Sequence, residues 1–356
     1  MKLIYLTNVQ IPADDAQNLQ IQSMSQSFHD ILGENFLLAS PLNERNKNLN
    51  TKYFWKKISI FKKWPRSFRQ FLFLLKSIFL VCRFNSDIIY TRDVLIVWFY
   101  QKIGRQVVYE IHKPFETKIG NFLFRSVSKK IKIVAISQLL KDFIVNQYKL
   151  NEASVLVAHD GVDLELFDIK EEKNSLVKKL NLPNDNFVVL YSGSLRKGKG
   201  VELIFQIAKN LLNISFVIIG GSQKEIDNFK NVPDNIYFFR RKLQKEIPFY
   251  LKAADLLILP MNKELSYGIY SSPLKLFEYM ASGVPILASN FGAIKEVINE
   301  KNSFLFDPNN HDDLIEKIKF IRDNSQKTVR IAQEALKTVK EYTWQKRAEK
   351  ILNYLK

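Results

Sequence analysis

Residues 187–212 read FVVLYSGSLRKGKGVELIFQIAKNLL. The first six are apolar, aromatic or β-branched enough for a buried strand. A loop with three glycines follows, and Val201–Leu212 then carries helical spacing. Strand, short loop and helix make half of a βαβ unit, the building block of a parallel sheet covered on both faces. The same alternation extends outward in both directions. Towards the N-terminus the expected strands are Leu3–Thr7, Phe36–Ala39, Asp87–Tyr90, Val107–Ile111, Ile131–Ile136 and Ser154–Ala158. Towards the C-terminus, beyond Phe187–Ser192, they are Ser215–Ile219, Ile236–Phe239, Leu256–Leu259, Pro285–Ala288 and Ser303–Phe306. Helical patterns such as Gln17–Leu32, Gln138–Gln147 and Leu274–Ala281 fit between them.

So many strands exceed one ordinary doubly wound sheet, and they part naturally near residue 165. The expected fold class is α/β, with two Rossmann-like domains facing across a cleft, residues 1–164 and 165–337. Ligands should meet the carboxyl ends of the strands. Residues 338–356 read as one amphipathic helix with Trp344, Ala348, Ile351 and Leu352 on a single face, packing back on the N-terminal domain.

Composition removes several classes. With 356 residues and 46% hydrophobic content, the chain has material for two buried cores and is not predominantly disordered. Cys82 is the only cysteine, so no internal disulfide can form. The opening MKLIYLTNVQIP is too brief for a signal-peptide core. The longest apolar stretch, Phe71–Cys82, is interrupted by Lys76 and falls short of the roughly 20 residues of a membrane span, so a cytoplasmic protein is expected.

The net charge of +17 is uneven. From Arg45 to Ser86 there are 11 basic residues and no acidic one. Tyr53, Phe54, Trp55, Phe61, Trp64, Phe68, Phe71, Phe73 and Phe79 are interleaved with them. Three readings stand side by side. The segment lies on an anionic bilayer, with aromatics at the headgroups and cations on lipid phosphate. Or it is a solvated basic helix whose aromatics face the core. Or it binds nucleic acid, although no RNP-type, zinc-finger or helix-turn-helix pattern accompanies the charge.

Only 12 glycines serve the chain, and Gly193, Gly198, Gly200, Gly220 and Gly221 fall in one short window. No G-x-G-x-x-G occurs, which disfavours a dinucleotide fingerprint. Gly193, Gly198 and Lys199 fit G-x-x-x-x-G-K, but Gly200 stands where a Walker loop needs Ser or Thr. What remains is a strand end offering free amides beside Arg196, Lys197 and Lys199, which suits a diphosphate. In the stretch SYGIYSSPLKLFEYMASG, Ser272 reads as an N-cap and Pro273 as the first helical residue, so the helix start faces an anion. Ser271, Lys275, Glu278 and Ser282 share a polar face, with Glu278 nearly two turns in, a reach suited to a sugar hydroxyl pair. The bland alternative is a surface ion pair between Lys275 and Glu278. His112 at a strand end beside Glu110 reads either as catalytic or as a packed structural histidine. No D-x-D and no His/Asp/Cys cluster of metal spacing occurs, so no metal cofactor is expected.

At these residues the chain resembles glycosyltransferase family 4, the retaining nucleotide-sugar transferases of GT-B fold, and most of all its lipopolysaccharide and capsule members. Nine segments carry the resemblance in order: YLTNVQIPADDAQNLQIQSMSQSF, VVYEIHKP, IVAISQLLKDFI, AHDGVDLELF, SGSLRKGKGVELI, IIGG, ADLLILP, PLKLFEYMASGVPILAS and YTWQKRAEKIL. The resemblance implies a hexosyltransferase that uses a nucleotide-sugar donor and a saccharide or lipid-linked saccharide acceptor, with no cofactor and no nucleic acid. It implies that Lys199 holds the donor diphosphate, that Glu278 takes the ribose hydroxyls and that the amides of Leu274 and Lys275 meet the distal phosphate. His112 would sit beside the reacting carbon, and Gln20 with the backbone near Asn18 would form a lip on the first domain. Gly193, Ser194, Tyr270, Ser271 and Ser272 complete the implied donor contacts. Three positions depart from the family pattern: Tyr270 replaces its first glutamate, Ser194 its arginine, for which Arg196 is the stand-in, and Asn18 or Leu19 its first-loop glycine. Combined with the basic segment, the expectation is a peripheral enzyme at the inner face of the cytoplasmic membrane. A sugar-nucleotide epimerase of the same fold and a non-catalytic basic membrane-binding protein remain as rivals.

Overall fold

A computed structural model describes residues 1–11, 15–41, 55–58, 65–184, 186–261 and 268–356, with the backbone alone at 66 and 67. Its contacts divide the chain into two units, one formed by Met1–His159 with Trp344–Lys356 and the other by Asp160–Thr343.

The first unit holds a seven-stranded parallel sheet. Its strands are β1 (Leu3–Leu6), β2 (Phe36–Pro41), β3 (Trp55–Ile58), β4 (Ile88–Thr91), β5 (Gln106–Ile111), β6 (Lys132–Ala135) and β7 (Val155–Val157), in the order β3-β2-β1-β4-β5-β6-β7. The order reverses between β1 and β4, which places a ligand crevice at the carboxyl ends of those two strands. Helices α1 (Ala16–Leu32), α2 (Arg66–Phe84), α3 (Val94–Lys102), α4 (Lys118–Val127) and α5 (Gln138–Tyr148) make the crossovers. Asp15 starts α1 by accepting the Asn18 amide at 2.9 Å. Asn85, in the left-handed region at φ 52°, stops α2. Ser77 and Tyr100 share a hydrogen bond of 2.7 Å between α2 and α3, and Tyr148 donates to Asn121 at 2.8 Å between α5 and α4.

The second unit is a six-stranded parallel sheet, β8 (Phe187–Ser192), β9 (Ile214–Ile219), β10 (Ile236–Phe239), β11 (Leu256–Leu259), β12 (Ile286–Ser289) and β13 (Phe304–Phe306), ordered β10-β9-β8-β11-β12-β13. Its helices are α6 (Lys173–Lys179), α7 (Val201–Ala208), α8 (Gln223–Asp227), α9 (Ile247–Lys252), α10 (Leu274–Ser282), α11 (His311–Asp323) and α12 (Ser325–Thr338). Side chains alternate across this sheet into two apolar clusters: Val188, Leu190, Val217 and Ile219 join one, while Val189, Tyr191, Phe216 and Ile218 join the other. Both faces are therefore buried, as the continuous apolar runs of the sequence require. The reversal lies between β8 and β11, so the glycine loop after β8 stands at the switch point.

The twelve expected strands are all present, with ends within two residues of the sequence reading. β3, with the sequence WKKI, is a thirteenth. It is an edge strand with exposed Lys56 and Lys57, the kind of short, charged strand that apolar periodicity does not reveal. The expected helix over 338–356 is corrected: α12 runs to Thr338, a 3₁₀ turn covers Val339–Glu341, and a separate helix α13 spans Trp344–Leu355. α13 belongs to the first unit and packs on α1, with Trp344, Ala348, Ile351 and Leu352 all buried. In the basic segment, residues 45–54 and 59–64 lie outside the described residues, with Arg45, Lys47, Lys52, Lys62, Lys63, Tyr53, Phe54, Phe61 and Trp64 among them. Its described aromatics divide: Phe73 is buried, whereas Phe68, Phe71 and Phe79 are exposed.

Candidate functional site

In the second unit the site is built on the loop leaving β8. The Gly193 amide donates to the Ile219 carbonyl at 2.9 Å, which draws the loop across the end of β9. A Cβ at Gly193 would lie 2.7 Å from Lys275 Nζ and 3.0 Å from Tyr191 Oη, so only glycine lets these groups close on the backbone. Gly200 opens α7 at φ 88°, and a Cβ there would stand 2.0 Å from the Pro260 carbonyl oxygen just beyond β11. The loop is thus pressed into the switch point by two positions that exclude side chains.

Lys275 sits in the first turn of α10, its Nζ 4.1 Å from the centroid of the Tyr191 ring. That ring is held by Tyr191 Oη donating to the Ser194 carbonyl at 2.9 Å. Burial, then the nearby charge of Lys199, push the Lys275 ammonium down to about 7 against the pull of Glu278. Lys199 is pushed down as well, by desolvation and by Arg196. Among the described residues neither lysine makes an ion pair, so the Lys275–Glu278 pair of the bland reading does not form. Glu278, buried one turn further along α10, instead accepts from Gln244 Nε2 at 2.5 Å. Its carboxyl lies above the usual range, raised by burial against the opposing hydrogen bond from Gln244 and charge of Lys275. Two desolvated ammoniums side by side, with a carboxylate beyond them, form an electrostatic arrangement that an anion relieves.

The expected cap is corrected. Pro273 occupies the N-cap position, α10 begins at Leu274, and no side chain caps it. Ser272 is unavailable for that role because its Oγ accepts the Asp160 amide at 3.1 Å. The amides of Leu274 and Lys275 therefore remain at an uncapped helix start. α10 is anchored to β8 by Tyr279 Oη, which accepts the Ser192 amide at 2.8 Å. Tyr270 ends a 3₁₀ turn, Gly268–Tyr270, and the Ser271 amide donates back to Gly268 at 3.1 Å. Ser194 Oγ accepts the Arg196 amide at 3.3 Å, leaving the Arg196 side chain exposed at the loop tip.

In the first unit, Glu110 near the end of β5 is only 2% exposed and gathers four donors. Tyr90 Oη and His112 Nε2 donate to it at short range, Gln20 Nε2 at 3.2 Å and an Arg347 guanidinium nitrogen at 3.3 Å. Arg92 lies 4.0 Å away and also bonds to Gln20. Burial opposes charge on Glu110, but Arg347, His112 and Arg92 outweigh it and hold its carboxyl well below the usual range. Burial and then Arg92 push the His112 imidazole down to about 4. His112 is therefore neutral near pH 7, with Nε2–H committed to Glu110 and Nδ1 left as an acceptor. Gln20 is 3.5 Å from His112 Nε2, so these two sequence-predicted residues do meet. Asn18 is buried at the start of α1; its Nδ2 donates to Asp15 at 3.1 Å, and its Oδ1 has no partner among the described residues.

Sequence reasoning missed Tyr90, Arg92 and Arg347 here, and Tyr191 and Gln244 in the second unit. Arg347 had a signal: it stands three residues after Trp344, inside the apolar arc of α13, and is 4% exposed. Its Nε donates to the His159 carbonyl at 2.9 Å. Among the described residues no group of three or more His, Cys, Asp or Glu is placed to hold a metal ion.

Residues 172–338 match the family described as Glycosyl transferases group 1. The chain is 24% identical over 292 residues to the lipopolysaccharide 1,2-N-acetylglucosaminetransferase of Salmonella typhimurium, covering 74% of this chain and 72% of that one. It is 26% identical to the UDP-Gal:alpha-D-GlcNAc-diphosphoundecaprenol alpha-1,3-galactosyltransferase of Escherichia coli, over 62% of this chain and 58% of the relative. Among solved structures it superposes on sucrose-phosphate synthase from Thermosynechococcus elongatus with a TM-score of 0.82 at 17% identity, covering 100% and 98% of the two chains. Anabaena HepE, solved in complex with UDP, gives 0.81 at 18% identity, covering 100% and 99%. Residues 172–338 are thus a glycosyltransferase group 1 domain, and the chain that carries them is a glycosyltransferase of GT-B fold.

Proposed function

We propose that this enzyme moves a sugar, with retention, from a nucleoside-diphosphate sugar to a saccharide acceptor carried on a lipid. The setting we assign is bacterial cell-surface polysaccharide synthesis, at the inner face of the cytoplasmic membrane. The observation that carries the reading is the desolvated Lys275 ammonium against the Gly193 backbone at the uncapped start of α10, with the charge of the desolvated Lys199 acting on it. A departing diphosphate carries the charge this arrangement lacks. The activities for which the Salmonella and Escherichia coli relatives are named support the acceptor class, and the UDP complex of Anabaena HepE supports the donor class. Retention rests on the resemblance of the nine sequence segments.

In this reading Lys199, Lys275 and the amides of Leu274 and Lys275 take the diphosphate and stabilise the charge that develops as the anomeric C–O bond breaks. No metal is assigned to that task. Glu278, steadied by Gln244, accepts from the ribose hydroxyls. His112 and Gln20 are assigned to the transferred sugar. Because Nε2 of His112 already donates to Glu110, Nδ1 is the atom left to receive a sugar hydroxyl.

Thermal denaturation against UDP-, GDP-, ADP-, CMP- and dTDP-sugars tests the reading. A cognate donor at about 100 times its Kd adds about 2.7 kcal/mol, a rise of about 5–10 °C for a domain of this size. No rise with any of them would remove the donor site. Conversion of a donor to its epimer without acceptor would replace transfer with epimerisation.

A further inference from the structure

The Glu110 carboxylate is fully used as an acceptor. Its Oε1 takes His112 Nε2 and, at 3.2 Å, Gln20 Nε2. Its Oε2 takes Tyr90 Oη and, at 3.3 Å, Arg347 Nη1. A carboxylate has about four lone-pair sites, so each has a donor. Such an anion beside an imidazole ordinarily draws a proton onto the ring, because it favours the charged form. Here the ring stays neutral, with the His112 imidazole pushed down to about 4. Burial is the first cause and the Arg92 charge the second, ahead of the opposing pull of Glu110.

Arg92 directly follows β4, so it stands at the carboxyl end of the sheet where the strand order reverses. Its side chain is 12% exposed, and its Nε is 4.0 Å from Glu110 Oε1, the oxygen that His112 uses. Its Nη1 donates to Gln20 Oε1, which turns the other end of that amide, Nε2, towards Glu110. The neighbouring Asp93 is engaged elsewhere. Its carboxylate accepts the Leu95 and Ile96 amides at the start of α3, and Asn8 Nδ2 at 2.7 Å. Among the described residues Glu110 is the one carboxylate within ion-pair reach of Arg92. The other titratable groups facing the cluster are Tyr5 from β1, Tyr90 from β4 and Arg347 from α13, and burial keeps both tyrosines protonated. Lys113, next to His112, pairs with Glu116.

We propose that Arg92 is a positioning residue for sugar transfer: it fixes the Gln20 amide and keeps His112 an uncharged ring whose Nδ1 accepts a sugar hydroxyl, on the acid side of neutrality as well as above it. Glu110 then orients the imidazole without charging it. A protonated ring would carry N–H at both nitrogens and could accept nothing. The proposal deepens the role given to His112 above and rests on it. Arg92 itself acts through Gln20 and Glu110.

The first measurement needs no substrate. In protein carrying isotope-labelled histidine, the His112 signal is assigned by its loss in His112→Gln, and NMR reads its titration and tautomer. Arg92→Met should move the titration from about 4 to about 5.5 or above, whereas Arg92→Lys, which keeps the charge, should leave it below about 5. Arg92→Gln offers Gln20 a donor but no charge. It should shift the titration as Arg92→Met does, and it takes that variant's place if the methionine unfolds the protein. The second measurement is kcat at saturating donor. Relative to wild type, Arg92→Met should lose about fourfold more at about pH 5 than at about pH 8, and Arg92→Lys should show no such difference. A merely structural role would lower kcat by the same factor at each pH. A His112 titration that stays at about 4 in both uncharged variants overturns the proposal, and so does an equal rise in Arg92→Lys. A raised titration with an unmoved kcat ratio also overturns it, by removing His112 from the reacting sugar; the donor site of the second unit, read by the rise in melting temperature, then still stands. Absence of turnover with every donor overturns the transferase reading and this proposal with it, however His112 titrates.

Discussion

Lys275 supplies a test in which proton and ligand are counted together. Its ammonium is held at about 7 in the free protein by burial and by Lys199. A bound diphosphate favours the charged form, so the complex should carry the proton well above pH 9. From pH 7 upward affinity for UDP then weakens, approaching tenfold per pH unit. From pH 7 to 9 the free site goes from about half charged to about 1% charged, which predicts Kd about 50-fold weaker, or about 2.3 kcal/mol. The second ionisation of a phosphate lies near pH 6 and does not contribute in this window. Isothermal titration at several pH values, in two buffers of different ionisation enthalpy, reads both quantities, and about 0.9 proton should be taken up per UDP at pH 8. Lys275→Met keeps an apolar stem over Tyr191 and should bind UDP weakly with no pH slope. A flat Kd from pH 7 to 9, or an equal slope in Lys275→Met, would refute the reasoning. Stability gives an independent check of sign. Between pH 7 and the ordinary lysine value the unfolded chain holds a proton that the folded chain does not, so this group makes the free protein more stable as pH rises through that interval. Lys275→Met should therefore stabilise the free protein at pH 7 while weakening the complex.

Two further outcomes follow from the geometry. Lys199→Ala should lower turnover about 10²–10³-fold with an unchanged melting temperature, since one preorganised contact to the leaving group is lost; near wild-type turnover would remove Lys199 from the mechanism. Arg347→Met should cost about 3 kcal/mol in urea denaturation by leaving Glu110 buried with less compensation, and should raise the His112 titration seen by NMR from about 4. In the wild-type protein both groups make stability fall with acid: Glu110 as pH drops below the ordinary carboxylate value, and His112 as it drops from about 6.5 towards 4, where the unfolded chain takes up the protons first.

The strands were legible because each is a short apolar run between turn residues, and parallel strands buried on both faces leave that pattern plainly. β3 was not, because an edge strand keeps WKKI half in solvent and shows no such run. At the second unit's site, Gly193, Lys199 and Glu278 were readable from spacing. The placement of Lys275 was not, since its register on a polar face says nothing of Tyr191, a residue 84 positions away that turns its ring beneath the ammonium. Ser272 looked like a cap because sequence could not show the Asp160 amide reaching it. Glu110 was visible only as the neighbour of His112. The groups that fix its charge come from β4, the turn after it and α13, and only the sheet order brings them together.

The first unit is discontinuous in sequence, and this has a consequence for how the protein is made. The strands of residues 1–159 leave the ribosome long before α13 does. Until residues 344–356 have been synthesised, α1 lacks the helix it packs against and the Glu110 carboxylate lacks its guanidinium partner. A nascent chain stalled within the second unit should therefore hold an independently formed segment of that unit and an unfinished first one, and Glu110 meets the Arg347 guanidinium only once α13 has been made.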